Sequence, residues 1–191
     1  MLNAAIWVFA RRGYRRGSIT DIIARAGVAR GTFYLYFESK EGIFHSLVED
    51  FHIQMKSAFE ALDEAAAQMR AQGPRAVLQA SCRSWLSFFA LHRDATRVVL
   101  GEGRAVDARF EQDFIDLRQS VLTRFSARFR NLQTLGLVAA TIDPDLAAHF
   151  QLGMLDELLN WRVLRDDLAD IDRLAQHLAD FEWSGLRPDR I

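Results

Sequence analysis

The sequence predicts an all-α fold of about nine helices, with a three-helix helix-turn-helix domain leading into a helical bundle. Three observations carry this. Apolar residues recur at helical spacing along almost the whole chain. Leucine, alanine and arginine dominate over the β-favouring valine and isoleucine. Only three prolines, Pro74, Pro144 and Pro188, interrupt the 191 residues, so long helices are possible.

Taken in order, Leu2, Ala5, Ile6, Phe9 and Ala10 form one apolar face of a first helix, expected to stop at Gly13. Ser18 offers an N-cap oxygen for a second, with Asp21 three residues on and Ile19, Ile22, Ile23 and Ala26 inward. Gly27, suited to a left-handed C-cap, ends it. After Gly27-Val28-Ala29 a third short helix is expected from about Arg30 to Phe37, with Phe33 and Phe37 packed inward. Two short helices joined by a tight glycine turn are the helix-turn-helix pattern.

Ser39 caps a long fourth helix running from Lys40 towards Ala71. Pro74 stands at the first position of a fifth helix, through Leu91, rich in aromatics. A sixth is expected from about Asp94 to Leu100 and a seventh from about Asp107 to Leu132. Asp143-Pro144, an N-cap followed by an N1 proline, opens an eighth reaching about Arg165. Ile171, Leu174, Ala175, Leu178 and Phe181 define the ninth.

Composition narrows the function. With 50% hydrophobic and 26% charged residues the chain builds a core without metal or disulfide. Cys82 is the one cysteine, it lies in an apolar helical run, and a buried structural thiol is expected. No run approaches the roughly 20 apolar residues of a membrane span, and no signal-peptide layout opens the chain; a cytoplasmic protein without membrane partner is expected. The formal net charge of -1 hides an asymmetry. Residues 1 to 45 carry seven basic residues against three acids, a balance of +4, while the remainder holds 17 basic and 22 acidic residues, or -5. A basic head on an acidic body fits a polyanion-binding module joined to a different activity.

The run Ser18 through Glu41 (SITDIIARAGVARGTFYLYFESKE), preceded by Gly13-Tyr14, closely resembles the DNA-binding domain of the tetracycline-repressor family. The Gly27-Val28 turn, the Gly31-Thr32-Phe33-Tyr34 step, the Tyr36-Phe37 pair and Ser39-Lys40-Glu41 all fall in register. The resemblance implies that the Arg30 to Phe37 helix enters the major groove of an operator duplex. Arg30 would reach guanine edges or a phosphate, and Gly31 would let backbone approach closely. Thr32, Tyr34 and Tyr36 would offer hydroxyls, Lys40 matches the family's phosphate-binding lysine, and Ser18 and Thr20 stand where the preceding helix meets the DNA backbone. Two positions depart from the pattern. Ala29 replaces the usual hydroxyl cap of the recognition helix, and Leu35 stands where a polar or aromatic DNA-facing residue is usual. The chain also begins at Met1 almost inside the first helix, without the family's basic leader, and some N-terminal residues are expected to be missing.

The resemblance divides the chain into a DNA-binding domain at 1–45 and a ligand-binding and dimerisation domain at 46–191. The eighth helix is apolar around most of its circumference. That requires cover on two sides, by a partner copy or by an enclosing monomer core. Phe150, Gly153, Met154, Leu158 and Trp161, with Leu174, Leu178 and Phe181 of the ninth helix, are the expected dimer interface. Met55, Phe59, Trp85, Phe88, Phe89, His92, Phe110 and Phe114 lie on helices that surround an effector cavity in the family. They would line a pocket for a small hydrophobic or aromatic molecule, or serve as plain core. The family mechanism implies that ligand moves the fourth helix and turns paired heads out of register with the DNA. An enzyme is the main alternative class. His45, Glu49 and His52 share a helix face but lack metal-ligand spacing, and no cofactor motif or catalytic triad appears, so no catalytic residue, cofactor or metal is expected.

Overall fold

The computed structural model describes residues 1–68, 73–102, 108–160 and 170–186. Among these are nine α-helices and no strand: α1 (Leu2–Arg16), α2 (Ile19–Ala26), α3 (Arg30–Tyr34), α4 (Lys40–Gln68), α5 (Pro74–Leu91), α6 (Arg93–Thr96), α7 (Ala108–Thr134), α8 (Pro144–Leu158) and α9 (Ile171–Leu186). A π-helical segment, Arg97–Glu102, follows α6. No helix among the described residues is long and apolar enough to cross a membrane.

Local chemistry explains most boundaries. Ser18 and Asp21 form a reciprocal capping box: the Ser18 hydroxyl accepts from the Asp21 amide at 3.1 Å, and the Asp21 carboxylate accepts from the Ser18 amide at 3.1 Å. Gly27 closes α2 at φ 66°, a left-handed C-cap open to glycine at little cost. Asp143 caps α8 by accepting from the amides of Asp145 and Leu146, ahead of Pro144.

Four boundaries differ from expectation. Gly13 kinks α1 rather than ending it. Its φ 76° and ψ 155° belong to a region that only glycine occupies freely, and the helix resumes to Arg16. The third helix ends at Tyr34, because the Tyr36 amide turns back to the Phe33 carbonyl at 3.1 Å and tightens the last turn. The sixth is a single turn at Arg93–Thr96 that widens into the π segment. The seventh runs to Thr134. The expected ends of the fourth and eighth helices fall outside the described residues.

By proximity the chain forms two compact units, 1–57 with 92–115, and 58–91 with 116–191. In the first, α1 packs on α2, α6 and the π segment. Ala5, Phe9, Ile22, Phe33, Ile43 and Phe44 are fully buried there. Each large side chain so buried contributes about 1.5–3 kcal/mol. The unit does not stop at residue 45, because Asp94 pairs with Arg11 at 3.0 Å and Val98 and Val99 are buried.

The second unit is built on α5 packed against α9. Its core includes Leu78, Cys82, Leu86, Leu155 and Ala175, with an aromatic group in which Trp85 lies 5.1 Å from Phe89 and 5.4 Å from Phe125. Inside it runs a polar chain. Arg128 Nη2 donates to Gln151 Oε1 at 2.6 Å, and Gln151 Nε2 donates to both Glu182 oxygens at 2.9 and 3.1 Å. Burial holds the Glu182 carboxyl above its ordinary range, against the pull of Arg128 and Gln151. Burial, with the nearby Glu182 charge, pushes the Cys82 thiol up to about 12.

Two outcomes follow. In native protein at pH 8, Cys82 will resist alkylation by iodoacetamide and react only once urea unfolds the chain; rapid native labelling followed by mass spectrometry would contradict its packing. Because the folded pKa of Glu182 lies above that of an unfolded glutamate, its carboxyl favours folding in acid and that contribution is lost as pH rises through the raised value. Glu182→Gln is expected to raise the urea midpoint at pH 8, with the gain over wild type shrinking towards pH 4.

Candidate nucleic-acid interface

The helix-turn-helix is held by a joint between the C-terminal end of α1 and the start of α4. Lys40 Nζ donates to the carbonyls of Tyr14 at 2.9 Å, Gly17 at 3.2 Å and Arg15 at 3.4 Å, and lies 4.4 Å from the Tyr14 ring centroid. These carbonyls end a helix and have no partner within it, so the ammonium both caps them and answers the negative end of the helix dipole. The Tyr14 hydroxyl donates to Glu41 Oε1 at 3.0 Å. The Glu41 carboxyl is held below its ordinary range by its own backbone amide and by this hydroxyl. Beneath them the rings of Phe9, Tyr14 and Phe44 stack at 4.8–5.8 Å.

On this joint α3 is anchored from one side. Phe33 is fully buried and contacts Phe37, which is half-buried. Arg30, Gly31, Tyr34, Leu35 and Tyr36 are exposed, and Thr32 is partly so. The Arg30 guanidinium lies 5.8 Å from the Tyr34 ring centroid, at the outer range of a cation–π contact. Ala29 supplies no side-chain cap, so the helix starts on the backbone bond from the Phe33 amide to the Ala29 carbonyl at 3.3 Å. Elsewhere in the first unit Arg15, Arg16 and Arg25 are exposed, as are Glu38 and Glu41, while Arg12 is paired with Asp21. Hydrogen bonds from Ser18, together with the Arg12 charge, keep the Asp21 carboxyl below its ordinary range.

All nine residues expected at the DNA fall within the first unit, but two have competing work. Lys40 spends its three donors on the α1 carbonyls of Tyr14 and Arg15 and on that of the C-cap Gly17, so phosphate contact would require it to release some of them. The Ser18 hydroxyl serves the α2 cap, although it and Thr20 remain exposed. A feature that residue spacing did not reveal joins α1 to α2: the guanidiniums of Arg11 and Arg25 lie over the Trp7 ring, 4.6 and 4.5 Å from its centroid. The amphipathic pattern marks only the apolar face of α1.

In the second unit, α8 and α9 leave large apolar groups bare. Phe150 is 67% and Phe181 71% exposed; Gly153 is exposed, Met154, Leu158 and Leu174 are half-buried, and Leu178 is buried. A groove of about 670 Å³ runs between the two helices, lined by Phe150, Gly153, Met154, Leu158, Leu174 and Leu178. A second, of about 380 Å³, reaches Gln151 and Glu182 beside Phe129 and Phe181. Trp161 lies outside the described residues.

Of the residues expected around an effector, Trp85 and Phe89 are buried and Phe88 half-buried in the second unit, while Met55 is buried and His92 and Phe114 are half-buried in the first. The side chains of Phe59 and Phe110 lie outside the described set. Gln151 and Glu182, which line a cavity, are not among the expected site residues, although a polar side chain on an otherwise apolar helix face is a visible signal. No group of three or more His, Cys, Asp or Glu among the described residues could hold a metal ion.

Residues 1–47 match the family of bacterial regulatory proteins called tetR, and residues 71–181 match the tetracyclin repressor-like C-terminal domain. Over 98% of its length the chain is 28% identical to the HTH-type transcriptional regulator YdgC of Bacillus subtilis, 91% of which is covered. It is 25% identical, over 97% of its length and 93% of the relative's, to the fatty acid metabolism regulator protein of the same organism. Its fold matches the crystal structure of the transcriptional regulator FadR from Bacillus subtilis in complex with stearoyl-CoA, with a TM-score of 0.78, 24% identity and 96% of each chain covered. With both family models matched across the head and most of the body, the chain belongs to the TetR family of DNA-binding transcriptional regulators.

Proposed function

We propose that this regulator is a cytoplasmic, ligand-responsive repressor and not an enzyme, that it grips a palindromic operator as a homodimer, and that a small hydrophobic or aromatic effector releases it. In this reading residues 1–45 are the DNA-binding head and 46–191 the dimerisation and effector domain. The observation that carries it is the one-sided anchoring of α3. Phe33 fixes the helix from within, while Arg30, Gly31, Tyr34, Leu35 and Tyr36 are left exposed in a head whose sequence carries an excess of basic residues.

Dimerisation is supported by the bare Phe150 and Phe181 rings and the groove beside them, since an apolar face of this kind is the usual mark of a partner surface. Two-fold pairing would place two α3 helices one DNA turn apart, roughly 34 Å, and so select a palindrome. An apolar effector is supported by the relative solved with stearoyl-CoA and by the aromatic group around Trp85. Release then follows if the effector favours a state in which α4, which starts at the Lys40 joint, carries the head away from its groove.

Fluorescence anisotropy on a palindromic duplex, selected by the protein from a random pool, tests the head. Arg30→Ala should weaken binding by about 1–3 kcal/mol while leaving the melting temperature unchanged. Lys40→Gln should instead lower the melting temperature, by an amount corresponding to about 1–3 kcal/mol, because it strips the charge-assisted bonds that end α1. Equal effects of both variants on stability would count against the division of labour. For the body, Phe150→Asp is expected to keep the helical circular-dichroism signal but sediment as a single chain at micromolar concentration; a persistent dimer would move the interface elsewhere.

A further inference from the structure

Leu35 is the most exposed of the large hydrophobic side chains among the described residues, at 82%, and it lies at the tip of the one element built to meet DNA. Its backbone is fixed: its amide donates to the Gly31 carbonyl at 3.2 Å, and the following amides of Tyr36 and Phe37 both return to the Phe33 carbonyl. A singly exposed leucine is ordinary in itself, and Leu91 is as bare at 81%; what sets Leu35 apart is its place on the outer face of α3.

Helical geometry says what that side chain faces. Residues advance by about 100° around the axis, so with Phe33 pointing into the core, Gly31 and Leu35 both fall within about 20° of the opposite, outermost line, one turn apart. Tyr34 and Thr32 flank that line. At Gly31 a Cβ would meet nothing within 4 Å, so this ridge consists of bare backbone and one apolar side chain. A helix entering the major groove with Phe33 behind it leads with this ridge.

In that groove the base edges present hydrogen-bond donors and acceptors and, among the standard bases, one apolar group, the C5-methyl of thymine. We infer that Leu35 is a specificity-determining residue that packs on a thymine methyl at a fixed position in each half-site. This rests on the operator reading above and adds to it the identity of a base. Gly31 contributes by letting the ridge come close enough for the leucine to reach the methyl.

The test uses the duplex that the protein itself enriches from a random-sequence pool. Each thymine is replaced in turn by deoxyuridine, which removes only the methyl group. The wild type should lose about fourfold in affinity per half-site at one symmetric pair of positions, and on the order of tenfold when both copies are replaced, as expected for one buried carbon each. Leu35→Ala, whose melting temperature should match the wild type, should bind thymine and deoxyuridine versions alike. A palindrome that is enriched but shows no methyl dependence, or a dependence that survives in Leu35→Ala, overturns the assignment to Leu35 and leaves the repressor reading standing. Failure to enrich any duplex overturns the repressor reading itself, and this inference with it.

Discussion

The ammonium of Lys40, shared among three carbonyls at the end of α1, is the constraint on which the helix-turn-helix depends. It fastens the start of α4 to the end of α1, and the two short helices of the turn motif lie between those points in the sequence. Their positions are therefore set from both ends. The Gly13 kink feeds this arrangement, since it re-aims the last turn of α1 and so the carbonyls that Lys40 collects. Tyr14 adds a second tie through Glu41 and joins the joint to the aromatic core.

The second unit solves a different problem. The chain Arg128–Gln151–Glu182 links α7, α8 and α9 in one register by side-chain hydrogen bonds, while the buried Arg128 Nε has no partner among the described residues. Any shift along α9 would strand a carboxyl in an apolar setting. That penalty specifies arrangement more than it adds stability. Gln151 and Glu182 of this chain also line the smaller groove, so the register of α8 and α9 and the lining of that groove are set together.

What the sequence revealed follows the range of each interaction. The Ser18 cap and the Asp143–Pro144 start were legible because cap and capped amides lie two or three residues apart, whereas the return bond from the Ser18 amide to Asp21 that completes the box was not read. The inward turn of Phe33 was legible from the resemblance to the family's DNA-binding domain. The Lys40 joint was not, because its partners lie 23–26 residues away and are carbonyls that every residue carries. Gly13 was visible as a break but not as a kink, a distinction that depends on what packs beyond it. In α8, the pattern announced an apolar circumference without saying which side is bare. Phe150 is exposed and Leu178 of the facing helix is buried, and only packing separates them. The π segment after α6 left no mark in the sequence, since one residue more per turn changes no apolar pattern over six positions.

The interleaving of the two units along the chain has a consequence for how the protein is made. Residues 92–115 return to the first unit after α5 has already contributed to the second. A ribosome therefore cannot release a finished head after residue 57. The nascent chain must wait until Asp94, Val98 and Val99 have left the exit tunnel before α1 acquires its full set of neighbours. By then the first helix of the other unit is also in the open, so the two cores mature in overlapping time, and a fragment cut after residue 57 would lack part of its own interior.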